Sequence, residues 1–270
     1  MRIIAGPCQH ESLPQSLEIA RECKRVCDKH GIEYIFKASY DKANRSSMQG
    51  KRGMGMEATL IDFLALKVEL GVKTLTDVHD YVQVARIERE FKDAVDVYQI
   101  PAFLCRQTDL IKAACATDKI VNIKKGQFLA PWDMKHVVDK AKATGNDKIM
   151  VCERGASFGY NNLVSDMRAL PVLAATGCPV VFDATHSVQL PGGQGATSGG
   201  QREMVPVLAR AATAVGVQGL FMETHPDPEK ALSDGPNAWP LDRMQPLLET
   251  LCELDRIVKS TDFEESRLGL

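Results

Sequence analysis

Four side chains that could bind a divalent metal ion lie at the predicted ends of strands far apart in the sequence. They are a thiol, an imidazole and two carboxylates: Cys8, His186, Glu223 and Asp234. Sulfur, nitrogen and oxygen ligands of these kinds suit zinc, iron(II) or manganese. A shared site requires a fold that brings the four together, so the elements that carry them decide the question.

Those elements follow a pattern that repeats along the whole chain. Short β-branched runs predict strands over residues 3–8, 33–39, 73–78, 95–102, 120–126, 149–155, 179–186 and 219–225. Amphipathic patterns between them predict helices over residues 13–30, 56–70, 80–91, 107–117, 131–144, 167–175, 201–215 and 241–259. Glycines that suit left-handed helix caps follow several of these helices: Gly31, Gly71, Gly145, Gly177 and Gly216.

This alternation predicts an α/β protein with a single-domain (β/α)8 TIM barrel over residues 1–260. A doubly wound open sheet is the alternative, but no G-x-G-x-x-G motif follows the first strand. The polar segment 261–270 is expected to be a disordered tail.

Composition excludes several classes of protein. The 270 residues are 44% hydrophobic and 25% charged, as in ordinary globular domains. A formal net charge of −2 argues against a nucleic-acid surface, and no apolar run is long enough to span a membrane. Without a signal-peptide pattern, a cytoplasmic location is expected. The eight cysteines contain no C-x-x-C pair, so all except Cys8 are expected to be buried free thiols.

In a (β/α)8 barrel the carboxyl ends of the strands build the active site. Here those ends carry many polar groups: Lys37, Asp77, His79, Gln99, Lys124, Arg154, Asp183, His186, Glu223 and His225. One side of the predicted mouth is cationic, with Lys37, Lys42, Arg45, Arg106, Lys124 and Arg154. Clustered like charges repel one another unless anions bind, so this side predicts a site for two phosphate groups. Lys125 is expected to be an ordinary solvated surface charge.

The first, seventh and eighth strands are neighbours in such a barrel, which places the four candidate metal ligands on one side of the mouth. A metal-free cluster of histidine and carboxylates would have the same composition, so both interpretations remain open at this point. Asp183 and His186 are three residues apart and cannot both point inward from a regular strand. We therefore expect His186 to be the ligand and Asp183 either to orient His186 or to have a structural role.

Two glycine-rich loops border the predicted mouth, over residues 48–56 and 187–200. Neither matches the G-x-x-x-x-G-K-[ST] nucleotide motif. Their positions after the second and seventh strands favour lids that exclude water during a reaction.

The chain resembles 3-deoxy-D-manno-octulosonate 8-phosphate synthases, also called 2-dehydro-3-deoxyphosphooctonate aldolases. The matching segments are IAGPC, FKASYDKANRSS, TDVH, QIPAFLCRQTDL, NIKKGQF, CERGASFGY, FDATHSVQ and METHPDPEKALSDGPNAWPL. The resemblance implies a transferase that condenses phosphoenolpyruvate with D-arabinose 5-phosphate and water and releases phosphate. It also implies a role in lipopolysaccharide biosynthesis, a homotetramer and no organic cofactor.

The resemblance assigns roles to individual residues. Cys8 stands where the metal-dependent branch of the family has cysteine and the other branch has asparagine, which implies metal ligation by Cys8, His186, Glu223 and Asp234. Phosphoenolpyruvate is expected to bind Lys37, Lys42, Gln99, Lys124 and Arg154. The sugar phosphate is expected to bind Asn44, Arg45 and Ser46, with Arg106 reaching across from a neighbouring subunit. Catalysis is expected to involve Cys8, Lys124, His186 and Asp234.

Three other functions compete with this one. A 3-deoxy-D-arabino-heptulosonate 7-phosphate synthase would use erythrose 4-phosphate on the same barrel, but its sugar-phosphate loop is KPRTS-like, whereas residues 42–47 read KANRSS. A non-catalytic barrel could bind metal or sugar phosphate alone. A lysine-dependent aldolase would use one of the strand-end lysines as a nucleophile.

Overall fold

The computed structural model describes residues 1–43, 52–192 and 198–263. Its central parallel strands are β1 (Arg2–Gly6), β2 (Glu33–Lys37), β3 (Lys73–Asp77), β4 (Val97–Ile100), β5 (Ile120–Lys124), β6 (Ile149–Glu153), β7 (Val180–Asp183) and β8 (Gly219–His225). The helices are α1 (Leu13–Lys29), α2 (Met56–Leu70), α3 (Tyr81–Glu90), α4 (Thr108–Cys115), α5 (Met134–Lys142), α6 (Ala169–Ala174), α7 (Val205–Val215) and α8 (Met244–Lys259).

The strands close into a barrel. Each pairs in parallel with the next in the chain, and β8 also pairs with β1, where Gly6 lies opposite Glu223. The predicted (β/α)8 barrel is therefore confirmed. Most predicted strands extended one to three residues too far, because the chain leaves the sheet just after its last inward side chain. His186 is an instance: it lies in a 3₁₀ turn (His186–Val188) beyond β7.

Alternation along each strand separates two apolar cores. Inward side chains form a small core inside the barrel: Ile4, Ile35, Leu75, Val97, Met150, Cys152, Val181 and Phe221. Outward neighbours such as Ile3, Ala5 and Val151 pack in a much larger core between barrel and helices. The inner core ends one step below the carboxyl ends of the strands, which is where the polar side chains begin.

Glycines shape the barrel where a side chain would not fit. At Gly6 a Cβ atom would lie 2.0 Å from the carbonyl oxygen of Lys37, so the close approach of β1 and β2 requires glycine. The five glycines predicted to cap helices all have positive φ angles: Gly31, Gly71, Gly145, Gly177 and Gly216.

Three further predictions, for the cysteines, for membrane-spanning helices and for the tail, can be compared with the structure. All eight cysteines are free thiols, and only Cys252 is less than fully buried. In the part of the chain that the structure describes, no helix is both long and apolar enough to cross a membrane. Helix α8 ends at Lys259, and most of the predicted tail, residues 264–270, lies outside the described residues.

Candidate active site

On most strands the inward face of the barrel changes from apolar to polar over a single step of two residues. Lys37 follows Ile35 by two residues, and in the same way Asp77 follows Leu75. The same change occurs on β4, β7 and β8, at Gln99, Asp183 and Glu223, and directly after β6 at Arg154, whereas β5 is polar inward at both Asn122 and Lys124. Seven of the predicted site residues line one cavity of about 660 Å³ at this end: Lys37, Lys42, Gln99, Lys124, Arg154, His186 and Asp234.

The four candidate metal ligands converge at the edge of this cavity. One ligand atom from each of Cys8, His186, Glu223 and Asp234 lies within 4.8 Å of every other. Glu223 belongs to β8, whereas Cys8 and His186 stand in loops just past the ends of β1 and β7. Asp234 adopts a left-handed conformation with φ 51°, which aspartate tolerates better than most residues.

Short polar contacts hold the cluster together. The Cys8 Sγ atom lies 3.0 Å from Asp234 Oδ2 and 3.2 Å from the Ser233 hydroxyl. The His186 Nε2 atom lies 3.5 Å from Glu223 Oε1 and 3.9 Å from Asp234 Oδ2. On the other side of the ring, Nδ1 lies 2.8 Å from Asp183 Oδ2. The backbone N–H of His186 also donates to Asp183 Oδ1. Asp183 therefore contacts both the ring and the backbone of His186, as an orienting residue would.

Burial and charge oppose each other in this cluster. Burial raises the pKa of the Cys8 thiol well above its usual range, and the carboxylates of Asp234 and Glu223 raise it further. Burial alone would also raise the pKa of Glu223 and Asp234, but His186, Lys42 and their other polar neighbours together outweigh burial and lower both pKa values. Lys37 lowers the pKa of Glu223 further. The ionised form of both carboxylates is thus favoured, whereas the thiol needs a strong positive charge nearby to lose its proton.

A metal ion fits these residues. The Glu223 Oε2 atom is buried and has no hydrogen-bond partner among the described residues. A buried carboxylate oxygen left in this way is costly unless something binds it. The sulfur, nitrogen and two oxygen donors match a divalent transition metal.

Two lysines on the cationic side of the cavity are neutralised by carboxylates of the protein itself. Lys37 Nζ donates to Glu223 Oε1 at 3.1 Å and to the Cys8 carbonyl at 3.0 Å. Lys124 Nζ donates to Asp183 Oδ2 at 2.5 Å. For Lys37 and Lys124 the expectation that the cations repel one another unless anions bind is therefore wrong, because a buried carboxylate lies beside each amine.

Arg154 is buried differently. Its Nη2 atom donates to the His186 carbonyl at 3.1 Å and to Gln189 Oε1 at 2.9 Å, and neither acceptor is charged. Its Nε atom has no partner among the described residues, and burial lowers the pKa of the guanidinium. This arginine is a donor available to an anion in the cavity.

A chain of hydrogen bonds runs from the barrel interior to Lys42. Asn122 Nδ2 donates to Gln99 Oε1 at 2.9 Å, and Gln99 Nε2 donates to Asp77. Ser39 also donates to Asp77, and Lys42 Nζ donates to the Ser39 hydroxyl at 3.0 Å. Since Asp77 can only accept, this chain fixes which way the Gln99 amide points.

Several predicted residues lie elsewhere. Arg106 is exposed and does not line the cavity of its own chain. Asn44, Arg45, Ser46 and residues 48–51 of the first loop lie outside the described residues, as do residues 193–197 of the second loop. The rest of that second loop forms a small antiparallel pair between Gln189–Leu190 and Gly199–Gly200 at the cavity edge.

Sequence inspection missed four residues in and around the site. Ser233 and Gln189 contact the candidate ligands, Asn122 supports Gln99, and Lys125 is buried rather than solvated. The expectation for Lys125 is therefore wrong, because its side chain is enclosed by two loops. Only Asn122, an isolated amide within an apolar strand, offered a signal in the sequence.

Comparison with known proteins identifies the family to which the chain belongs. A sequence profile described as the DAHP synthetase I family matches residues 1–260. The chain belongs to this family. The 2-dehydro-3-deoxyphosphooctonate aldolase of Xanthomonas campestris pv. campestris (strain B100) is 66% identical over 261 residues, covering 97% of this chain and 93% of that protein.

Two further relatives carry the same name. The protein of Xanthomonas axonopodis pv. citri (strain 306) is 66% identical, and that of Stenotrophomonas maltophilia (strain K279a) is 65% identical. Both alignments cover 97% of this chain and 93% of the relative. The family resemblance stated from the sequence motifs is confirmed.

Proposed function

We propose that this member of the DAHP synthetase I family condenses phosphoenolpyruvate with D-arabinose 5-phosphate and water, forming 3-deoxy-D-manno-octulosonate 8-phosphate and phosphate. The observation that carries the proposal is one cavity bordered both by a four-residue metal-ligand cluster and by buried cations. The printed name of relatives that are 65–66% identical over 97% of the chain supports the same activity.

Cys8, His186, Glu223 and Asp234 would hold a divalent metal ion, with zinc, iron(II) and manganese all compatible with these donors. When bound, the ion would supply a Lewis acid able to polarise the sugar aldehyde or to acidify a water molecule. Its positive charge would also offset the thiol's high pKa and favour the Cys8 thiolate.

The strand-end cations bind and orient the two anionic substrates. Lys124 and Arg154 face the cavity and can contact the phosphate and carboxylate of phosphoenolpyruvate, with Lys42 and Gln99 on the neighbouring wall. Because Lys37 and Lys124 are already paired with carboxylates, these contacts add hydrogen bonds within a balanced charge network. That network fixes the donors before substrate arrives.

The reaction forms a bond between the methylene carbon of phosphoenolpyruvate and the aldehyde carbon of the sugar. The aldehyde oxygen takes up a proton, water adds to the carbon that bears the phosphate oxygen, and phosphate leaves. Lys124 Nζ can stabilise the negative charge that develops in the cavity. His186 and Asp234 are the groups placed to hold or pass protons, since they lie at the metal-ligand edge of the same space.

A Schiff-base mechanism is disfavoured by the environment of Lys37. Burial would lower the pKa of this amine, but Glu223 and Asp77 outweigh burial and raise it above its ordinary value. An ammonium held charged in this way is a poor nucleophile. This supports a binding role for the lysine rather than covalent catalysis.

The activity is tested by product formation from phosphoenolpyruvate with each aldose phosphate. We expect turnover with D-arabinose 5-phosphate and little with erythrose 4-phosphate. Activity with the four-carbon sugar alone would assign the other synthase of the family.

The metal assignment has its own test. Chelation should abolish turnover and a divalent metal should restore it, whereas full activity in chelator-treated, metal-free protein would refute the metal assignment.

Assembly and location stay predictions. We propose a homotetramer in which Arg106 completes a neighbouring cavity, which its exposure in the single chain permits. We expect the enzyme to be cytoplasmic and to act in lipopolysaccharide biosynthesis.

A further inference from the structure

A second lysine–carboxylate pair lies behind the cationic side of the cavity. Lys125 follows Lys124 in the chain, and Glu153 precedes Arg154. Both members are 2% exposed, and Lys125 Nζ lies 3.5 Å from Glu153 Oε1. Since successive residues of a strand point to opposite faces, this pair faces away from the cavity into which Lys124 and Arg154 point.

Lys125 connects the loops that follow two neighbouring strands. Its Nζ atom donates to the carbonyls of Gly126 at 3.1 Å, Leu129 at 3.2 Å and Gly155 at 3.4 Å. Its backbone N–H donates to the Cys152 carbonyl at 2.8 Å. One ammonium group thus joins the loop after β5 to the loop after β6.

Glu153 fixes the turn that carries Arg154. Its Oε1 atom accepts from the backbone N–H groups of Arg154 at 2.9 Å and Gly155 at 2.6 Å. Gly155 has a φ of 88°, so the chain turns sharply at this point. Burial raises the pKa of Glu153, and the Lys125 charge opposes that rise.

Stability alone does not account for this pair. Replacing a buried ion pair by apolar residues of similar volume is often neutral or stabilising. What an apolar pair cannot do is bond to five backbone groups in two loops. The charged pair therefore serves to position those two loops and the neighbouring cations Lys124 and Arg154.

We propose that Lys125 and Glu153 are positioning residues that hold Lys124 and Arg154 in the geometry that binds phosphoenolpyruvate. This inference rests on the proposed function, because it names the substrate whose binding depends on the pair. The sugar phosphate is assigned to residues of other strands and loops, so its binding should not depend on the pair.

The test is the double variant Lys125→Met/Glu153→Leu, which removes both charges and leaves neither one unpaired. We expect it to fold, with a KM for phosphoenolpyruvate raised about tenfold or more, since small misplacements of binding groups have effects of this size. The KM for D-arabinose 5-phosphate should stay within about twofold. Calorimetric titration with phosphoenolpyruvate should show the same weakening without turnover.

Lys67→Met is the matched control. Lys67 pairs with Asp96 at 2.7 Å near the amino end of β4, far from the cavity mouth. This variant should change stability but neither KM. Glu153→Gln is a second test variant, because it keeps the backbone acceptor and removes only the charge. It should raise the KM for phosphoenolpyruvate by about threefold or more.

Two results would overturn the inference: unchanged KM values in the folded variants, or an equal rise of both. If the double variant does not fold, Glu153→Gln alone decides by the same criterion. An unmodified protein that turns over neither substrate would instead refute the proposed function, independently of the variants.

Discussion

Two layers inside the barrel differ by a single step along the strands. The lower layer is apolar and includes Leu75 and Val181, both completely buried. The layer above it includes Asp77 and Asp183, on the same strands and the same face. Two residues along a strand, roughly 7 Å, separate an apolar position that stabilises the protein from a charged position of the candidate site.

The apolar lower layer contributes free energy of folding, whereas the charged upper layer costs some of it. Burying an apolar side chain contributes about 1.5–3 kcal/mol, whereas buried charges are costly unless they are paired. Every ionisable residue described in the upper layer contacts an opposite charge or a polar group. Phe221 lies between the layers, with Lys124 Nζ 3.8 Å above its ring centroid.

Removal of a proposed metal ligand should affect activity far more than stability. Cys8→Ala should abolish metal binding and lower kcat by about a thousandfold, because Lewis-acid stabilisation of several kcal/mol corresponds to such a factor. Elemental analysis of the purified variant and steady-state kinetics measure both effects.

The control is Cys115→Ala, which removes another buried thiol, in α4. Both variants should lose about 1 kcal/mol of stability, but only Cys8→Ala should lose metal and activity. Equal losses of activity would mean that the thiol at position 8 serves packing alone.

A change in the lower layer should reduce stability and leave activity nearly unchanged. Leu75→Ala leaves a cavity in the inner core and should cost about 2–5 kcal/mol in the free energy of unfolding. Denaturant titration measures this loss, and kcat/KM of the folded variant should stay within about threefold. A large fall in kcat/KM at unchanged stability would show that the two layers are not separable.

A change at the boundary should affect both properties moderately. Phe221→Leu removes the aromatic face below Lys37 and Lys124 and should cost about 1–1.5 kcal/mol of stability. Loss of the cation–π contacts, worth about 1 kcal/mol, should raise the KM for phosphoenolpyruvate by about fivefold. Phe182→Leu on the outward face of β7 is the control, and it should change stability without changing KM.

The smallest expected effect comes from the amide below Gln99. Asn122→Leu removes the donor that fixes the Gln99 side chain, which is worth about 1 kcal/mol. We expect a rise of a few-fold in the KM for phosphoenolpyruvate, measured by steady-state kinetics. An unchanged KM would mean that Asp77 alone orients Gln99.

Much of the barrel could be predicted because periodicity and caps are local signals. The alternation of β-branched runs with amphipathic helices placed all eight strands, and cap glycines such as Gly71 ended helices where expected. Strand ends were less accurate, as at His186, because the residue at which a chain leaves a sheet depends on its neighbours. The contacts of Lys125 were not predictable, since they involve carbonyl groups of two loops.

The sequence by itself determined the residue types at the strand ends and therefore the chemistry available: sulfur, imidazole, carboxylates and cations at positions set by a period of two. Only the tertiary structure decided how those groups pair. Lys37 lies against Glu223, more than 180 residues away in the chain, and Lys124 against Asp183, so a row of charges became a balanced network. The physical reason is that burial and distance set pKa values and pairing, and both depend on barrel closure rather than on spacing in the chain.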